Sequence, residues 1–209
     1  MGQLYQIYWY PVYAYIRQRG HTHHDAQDLT QGFFERTVEQ HTLTGVTRED
    51  TKFRSFLLKV LNHFLIDEWR AAKAKKRGSL QVISLEDGAA EARYCKQPID
   101  KVTPEILFDK NWALALLDEV FEELRRENES AGRGDLFEEI KFCITADRTD
   151  ISYAQLSVRL KISEAALKVK THRLRQRYRE LLRARVADTV SSRQEVESEL
   201  RYLHEILSR

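Results

Sequence analysis

The sequence predicts an all-helical chain built as two small domains joined by a linker, and three observations point that way. Only three prolines and eight glycines interrupt 209 residues, so long stretches lack the punctuation that strands and their turns need. Apolar residues recur every three or four positions in one segment after another, the period of a helix that buries one face. The length exceeds one small bundle and suits two domains of roughly 100 residues each. Hydrophobic residues at 42% and charged residues at 32% make a core with a heavily charged surface rather than a disordered chain.

Taken in order, Leu4, Ile7, Tyr8, Val12, Tyr13 and Ile16 mark a first helix with Gly20 as its stop, and Pro11 is expected to bend or interrupt it. The stretch has no basic start or small-residue cleavage site and is too short to span a bilayer, so it reads as a core helix and no membrane insertion is expected. A second helix begins near Thr22, capped with Asp25, carries Ala26, Leu29, Phe33 and Val38, and should end near Gly45. A third, the longest of the first domain, joins Phe53, Leu57, Val60 and Phe64 with Phe56, Leu61 and Leu65 in one broad stripe, then runs through Trp69 into a basic end at Lys73–Arg77. Periodicity is lost over 78–103, which reads as the linker; Pro104 suits a helix start. The first domain is therefore 1–77. In the second, 104–190, Leu107, Trp112, Leu116, Val120 and Leu124 mark one helix ending before the polar run 128–134, and Leu136, Phe137, Ile140 and Ile144 mark the next. Residues 191–209 form a helical extension, with Ser192 and Glu195 as a capping box and Val196, Leu200, Leu203 and Leu207 as its stripe. Such a stripe needs a cover: the second domain's core, or else a partner.

Net charge is only +2, but the charge is clustered. Arg70, Lys73, Lys75, Lys76 and Arg77 stand together without an acid, acids outnumber bases over 78–150, and bases greatly outnumber acids over 159–185. Clustered cations suit phosphate binding, because each one that meets a phosphate releases condensed counterions; the plainer reading is a solvated helix face. Cys95 and Cys143 lie far apart without metal-type spacing, which fits reduced thiols in a cytoplasm. His21, His23 and His24 adjoin one another with no matching acid or Cys cluster, so no metal is expected. Asp25, Asp28 and Glu35 are ordinary early-helix acids rather than a shielded catalytic pair. Most aromatics read as core, with Trp69 beside the basic run left open. No phosphate-cradling glycine loop or nucleophile elbow occurs, so no enzymatic activity and no cofactor are expected.

The informative segment is ISYAQLSVRLKISEAALKVKTHRLRQRYRELL from Ile151. A short helix capped by Ser152 and Gln155 runs to Leu160, a turn follows at Lys161 and Ile162, and Ser163 caps a basic helix through Arg183. That is the plan of a helix-turn-helix, whose second helix enters the major groove; an ordinary helical hairpin is the plainer alternative. Ala154, Leu156, Leu160, Ile162, Leu167 and Leu174 should hold the pair together, leaving Lys168, Lys170, His172 and Arg173 outside.

The same stretch resembles the minus-35-reading domain of RNA polymerase sigma factors, with Lys161 where that family's turn usually has glycine. HDAQDLTQGFFERTVE (24–39) is similar to the sigma helix that grips polymerase, and FRSFLLKVLNHFLIDEWRAAKAKKR (53–77) to the helix that melts and reads the minus-10 element. The short linker leaves no room for a middle domain, which points to the extracytoplasmic-function (ECF) subfamily. The resemblance implies a factor that binds core RNA polymerase through Asp28, Gln31 and Glu35 and directs initiation at promoter DNA. It lays Asn62, Arg70, Lys73, Lys75 and Lys76 along the separating strands and gives the loop 45–52 an unstacked base. Lys168, Val169, His172 and Arg173 would meet base edges, and Lys170, Arg175 and Arg177 phosphates. An anti-sigma partner is compatible with this family. A stand-alone helix-turn-helix regulator and a helical adaptor for acidic proteins are the alternatives.

Overall fold

The computed structural model describes residues 2–39, 52–75, 88–96, 102–146 and 151–208, and every regular element among them is helical. In chain order these are α1 (Gly2–Gln18), α2 (His23–Glu39), α3 (Phe53–Lys75), α4 (Gly88–Cys95), α5 (Pro104–Ser130), α6 (Gly134–Ile140), a 3-10 turn (Lys141–Ile144), α7 (Tyr153–Leu160), α8 (Glu164–Ala187) and α9 (Arg193–Ser208). The chain divides into two compact units, 1–115 with 189–209, and 116–188. That division falls inside α5 rather than at residue 103. The segment read as a linker holds α4.

Unit 1 has an aromatic interior. From α1, Tyr8, Val12, Tyr13, Ala14, Tyr15 and Ile16 are at most 1% exposed. Burial on nearly every side explains why α1 continues through Pro11, although that ring withholds one amide donor. The helix closes at Gly20, whose φ of 91° is a left-handed conformation that glycine adopts without penalty. Thr22 then caps α2: its hydroxyl accepts from the Asp25 amide at 3.2 Å and donates to the Asp25 carboxylate at 2.8 Å. α1 packs on α2 and α4, and α2 on α3, with Phe33 edge-on to Phe64 at 5.6 Å. The expected end of α2 at Gly45 lies outside the described residues.

α4 is fastened by charge and hydroxyls. Glu91 accepts from Arg17 Nε at 2.9 Å and Nη2 at 2.7 Å, and from the Tyr13 hydroxyl, which also bonds His23 Nδ1 at 2.7 Å. The Arg17 guanidinium, with help from Tyr13, outweighs partial burial and holds the Glu91 carboxyl down at about 2.

α9 belongs to unit 1, not to the core of the second domain. Its buried face is Val196, Glu199, Leu203 and Ile206, one position away from the expected stripe in two of its four places. The expected capping box is also shifted: the Glu195 carboxylate accepts from the Ser191 amide at 3.0 Å. Glu199 is buried because Arg54 Nε meets it at 2.6 Å, while Arg54 Nη1 reaches Asp109 of α5 at 2.9 Å. Burial opposes the Arg54 charge, but Glu199 and Asp109 outweigh it and raise its pKa.

Unit 2 is contiguous and more aliphatic. Val120 and Leu124 of α5, Phe137 and Ile140 of α6, Leu156 of α7, and Leu167, Leu174 and Leu181 of α8 form its core. Leu160 and Ile162 pack against it, as expected, whereas Ala154 is exposed. α5 runs to Ser130, into the polar run read as its boundary. Arginines fasten the edges: Arg185 to Glu123 at 2.8 Å, and Arg177 to Glu127 through Nε at 2.9 Å and Nη2 at 2.6 Å.

Candidate nucleic-acid interface

In unit 2, α7 and α8 are joined by the three residues Lys161–Ser163. Ser152 accepts from the Gln155 amide at 3.5 Å and Ser163 from the Ala166 amide at 3.3 Å, so each helix start has a hydroxyl cap. The reversal between them is made by Lys161, at φ 54° and ψ 37°. A side chain in this left-handed region costs about 1 kcal/mol or more, a cost that the flanking caps and the burial of Leu156 and Leu167 offset.

The stop after α7 turns the first half of α8 outward. Leu167, Thr171 and Leu174 point into the core, which leaves Lys168, Val169, His172 and Arg173 exposed. Lys168 lies 3.6 Å from Glu164 and over the Tyr153 ring at 5.6 Å, contacts that aim the ammonium without burying it. Val169 is 49% exposed and Val158 of α7 82%, two uncovered apolar side chains among the cations. Lys170 is half-buried. It lines, with Arg173 and Arg177, a cleft of about 460 Å³ that includes Leu136, Phe137 and Ile140.

Two arginines assigned to phosphates do other work. Arg175 donates from Nε to the Cys143 carbonyl at 2.7 Å and from Nη2 to the Ala146 carbonyl at 2.6 Å, closing the open end of the 3-10 turn. Arg177 is neutralised by Glu127 and by Glu180 at 3.2 Å. Periodicity places both on the outer half of α8; it does not reveal that carbonyls and acids wait there. Burial raises the pKa of Cys143, leaving it an unreactive core thiol.

In unit 1, Asp28, Gln31 and Glu35 share one exposed face of α2, where Gln31 Nε2 donates to Glu35 at 2.8 Å. Asn62 does not face outward as expected. Its Oδ1 accepts from Tyr15 at 2.9 Å and from Arg19 Nη1 at 2.8 Å, and its amide donates to the Leu58 carbonyl at 3.0 Å, so it joins α3 to α1. Arg70 and Lys73 are exposed at the far end of α3. The Lys73 ammonium sits 3.7 Å above the Trp69 ring, and Trp69 itself is 59% exposed. Trp69, Arg70, Arg19 and Asp28 border a cleft of about 690 Å³ floored by Leu29 and Leu65. Lys75 ends α3; Lys76 and residues 45–51 of the loop expected to take a base lie outside the described residues.

Sequence reasoning missed Arg19, Arg54, Asp109 and Glu199. The last three lie on the buried faces of their helices, but the apolar stripes legible in the sequence pass through neighbouring positions, so spacing alone does not single them out. Among the described residues no His, Cys, Asp or Glu group could hold a metal ion, and no helix is long and apolar enough to cross a membrane. Comparison with protein-family models, with curated proteins and with solved structures returns no match.

Proposed function

We propose that the chain is a sigma factor of the extracytoplasmic-function type: it binds core RNA polymerase and directs initiation by reading two promoter elements, leaving the chemistry to the polymerase. One observation carries the reading. α7 and α8 are two hydroxyl-capped helices joined by a three-residue turn, and the second leaves Lys168, Val169, His172 and Arg173 uncovered, which supports reading the pair as a helix-turn-helix whose second helix enters the major groove. In this reading Lys168, His172 and Arg173 meet base edges and phosphates, while Arg175 and Arg177 hold the reading helix to its scaffold. Arg70 and Lys73, with Trp69 as a stacking surface, face separated strands, where base stacking on an aromatic is worth about 1–3 kcal/mol. Asp28, Gln31 and Glu35 face the polymerase. An anti-sigma partner would be a further protein ligand of this reading.

Run-off transcription with purified core enzyme tests it. The chain should make initiation promoter-dependent and shift promoter DNA strongly only together with core enzyme. Arg173→Ala should lower promoter-specific transcription by roughly 5- to 150-fold, the worth of one base contact, while core-enzyme binding stays unchanged. A strong, sequence-specific shift without core enzyme would instead identify a stand-alone regulator. The apolar floor of the cleft beside Lys170 and Arg173 favours a second reading, an adaptor for acidic protein segments; transcription indifferent to the chain would support it.

A further inference from the structure

Residues 189–208 leave unit 2 and return to unit 1, and their contacts there concentrate on the start of α3. The amide of Phe53, the first residue of α3, donates to the Thr189 carbonyl at 3.0 Å, satisfying one of the donors that a helix start leaves open. Lys52 Nζ and Arg54 Nε reach the two oxygens of Glu199 at 2.6 Å each. Arg54 continues to Asp109, and that carboxylate also accepts from the Tyr202 hydroxyl, whose ring lies 4.1 Å from the Arg54 guanidinium. The α9 side chains thus engage the residue before α3, its second residue and the α5 residue paired with it.

The chemistry of this seat is specific. A helix of sixteen residues is marginal in water on its own and needs burial to persist. An apolar stripe alone tolerates slippage along its seat. A buried Glu199, 1% exposed, does not, because any other register strands Glu199 away from Arg54 in a desolvated site, while Arg54 keeps only Asp109. We propose that the start of α3 together with α5 is a binding site for an amphipathic helix bearing one glutamate and one tyrosine three residues apart, and that α9 is its resident ligand, acting as a clasp that positions α3. Glu199 and Tyr202 are then positioning residues. The occupancy stands on the contacts alone; its consequence for DNA rests on the reading of α3 given above, since Trp69, Arg70 and Lys73 project from the helix that α9 holds.

Hydrogen exchange on the intact protein, with and without Glu199→Gln, tests the clasp. The variant should speed exchange at the Leu57–Leu61 amides by roughly 10- to 100-fold, the effect of weakening a buried ion pair, and leave the Leu174 and Leu181 amides of unit 2 unchanged. Unchanged exchange at α3 would overturn the proposal. As a second measurement, a synthetic peptide of residues 189–209 is titrated into the chain lacking them. Restored slow exchange at α3 supports a binding site, and about tenfold weaker binding of the Glu199→Gln peptide supports its selectivity; equal binding of both peptides overturns the selectivity. If the shortened chain fails to fold, the intact variant decides. Transcription separates the two readings. A wild-type chain inactive with core enzyme refutes the sigma reading and leaves the clasp standing. An active chain whose Glu199→Gln variant exchanges faster yet transcribes equally well overturns the dependence of α3's DNA work on α9.

Discussion

The two units bury charge in opposite ways. In unit 1 an arginine and two carboxylates sit among aromatic rings, with Arg54 8% and Glu199 1% exposed. In unit 2 the core is apolar and the arginines work at its edges, as Arg177 and Arg185 do against α5. Unit 2 is one continuous stretch of chain; unit 1 is closed by a helix 145 residues from its partner on α3. A continuous unit finds its core through local apolar spacing, since neighbouring helices have few alternatives. A discontinuous one must also choose which distant helix closes it, and opposite charges in a desolvated seat make that choice, because a wrong partner leaves an ion unpaired.

The contrast can be broken at several points. Arg54→Met should cost about 3–5 kcal/mol in unit 1, since Glu199 loses a buried counter-charge; denaturant unfolding followed by probes in each unit should show unit 1 melting first and unit 2 unmoved. A loss shared by both units would erase the distinction. Arg175→Ala should cost unit 2 about 1–3 kcal/mol, because the Cys143 and Ala146 carbonyls lose their donors, and Arg175→Lys should restore little. Lys161→Gly should stabilise unit 2 by about 1 kcal/mol, by relieving the left-handed residue, raising its melting temperature by a few degrees; an unchanged or lower value would mean the Lys161 side chain contributes something its backbone conformation hides.

The subtlest effect concerns pH. Arg17 holds the Glu91 carboxyl at about 2, below its ordinary 4.5. The stabilisation this gives the α4 contact is therefore complete above about 4.5 and drains away as pH falls toward about 2. Glu91→Gln should destabilise unit 1 slightly at neutral pH and match the wild type near pH 2. A gap that persists in acid would show that shape, not charge, fastens α4.

How much was legible follows the same division. The stripe of α3 and the apolar contacts of Leu160, Ile162, Leu167 and Leu174 follow from spacing, because burying one face of a helix imposes a period the sequence must display. Ser163 and Thr22 likewise announce helix starts. Lys168, His172 and Arg173 were readable as the remainder of that period, whereas Lys170, placed outside by the same spacing, is half-buried. Asn62, Arg175 and Arg177 were not, since a polar residue on a helix surface looks the same whether it meets solvent or a carbonyl brought close by the tertiary fold. α4 was missed because, among its described side chains, it buries only Ala90 and Tyr94, too few to form a stripe. The seat of α9 was hidden for a different reason: Arg54, Asp109 and Glu199 each read as a surface charge on its own helix, and only side by side do the three become complementary.

The 145 residues between Arg54 and Glu199 also set a timetable. A ribosome adding about 5–20 residues per second releases α3 on the order of ten seconds before the helix that neutralises it. During that interval Arg54 has Asp109 at most, and by its end, with residue 188 made and α9 still to come, unit 2 has every residue it needs. Assembly of the nascent chain therefore runs against the direction of synthesis: the later-made unit completes first, and the earlier one waits, open at the start of α3, for α9 to emerge.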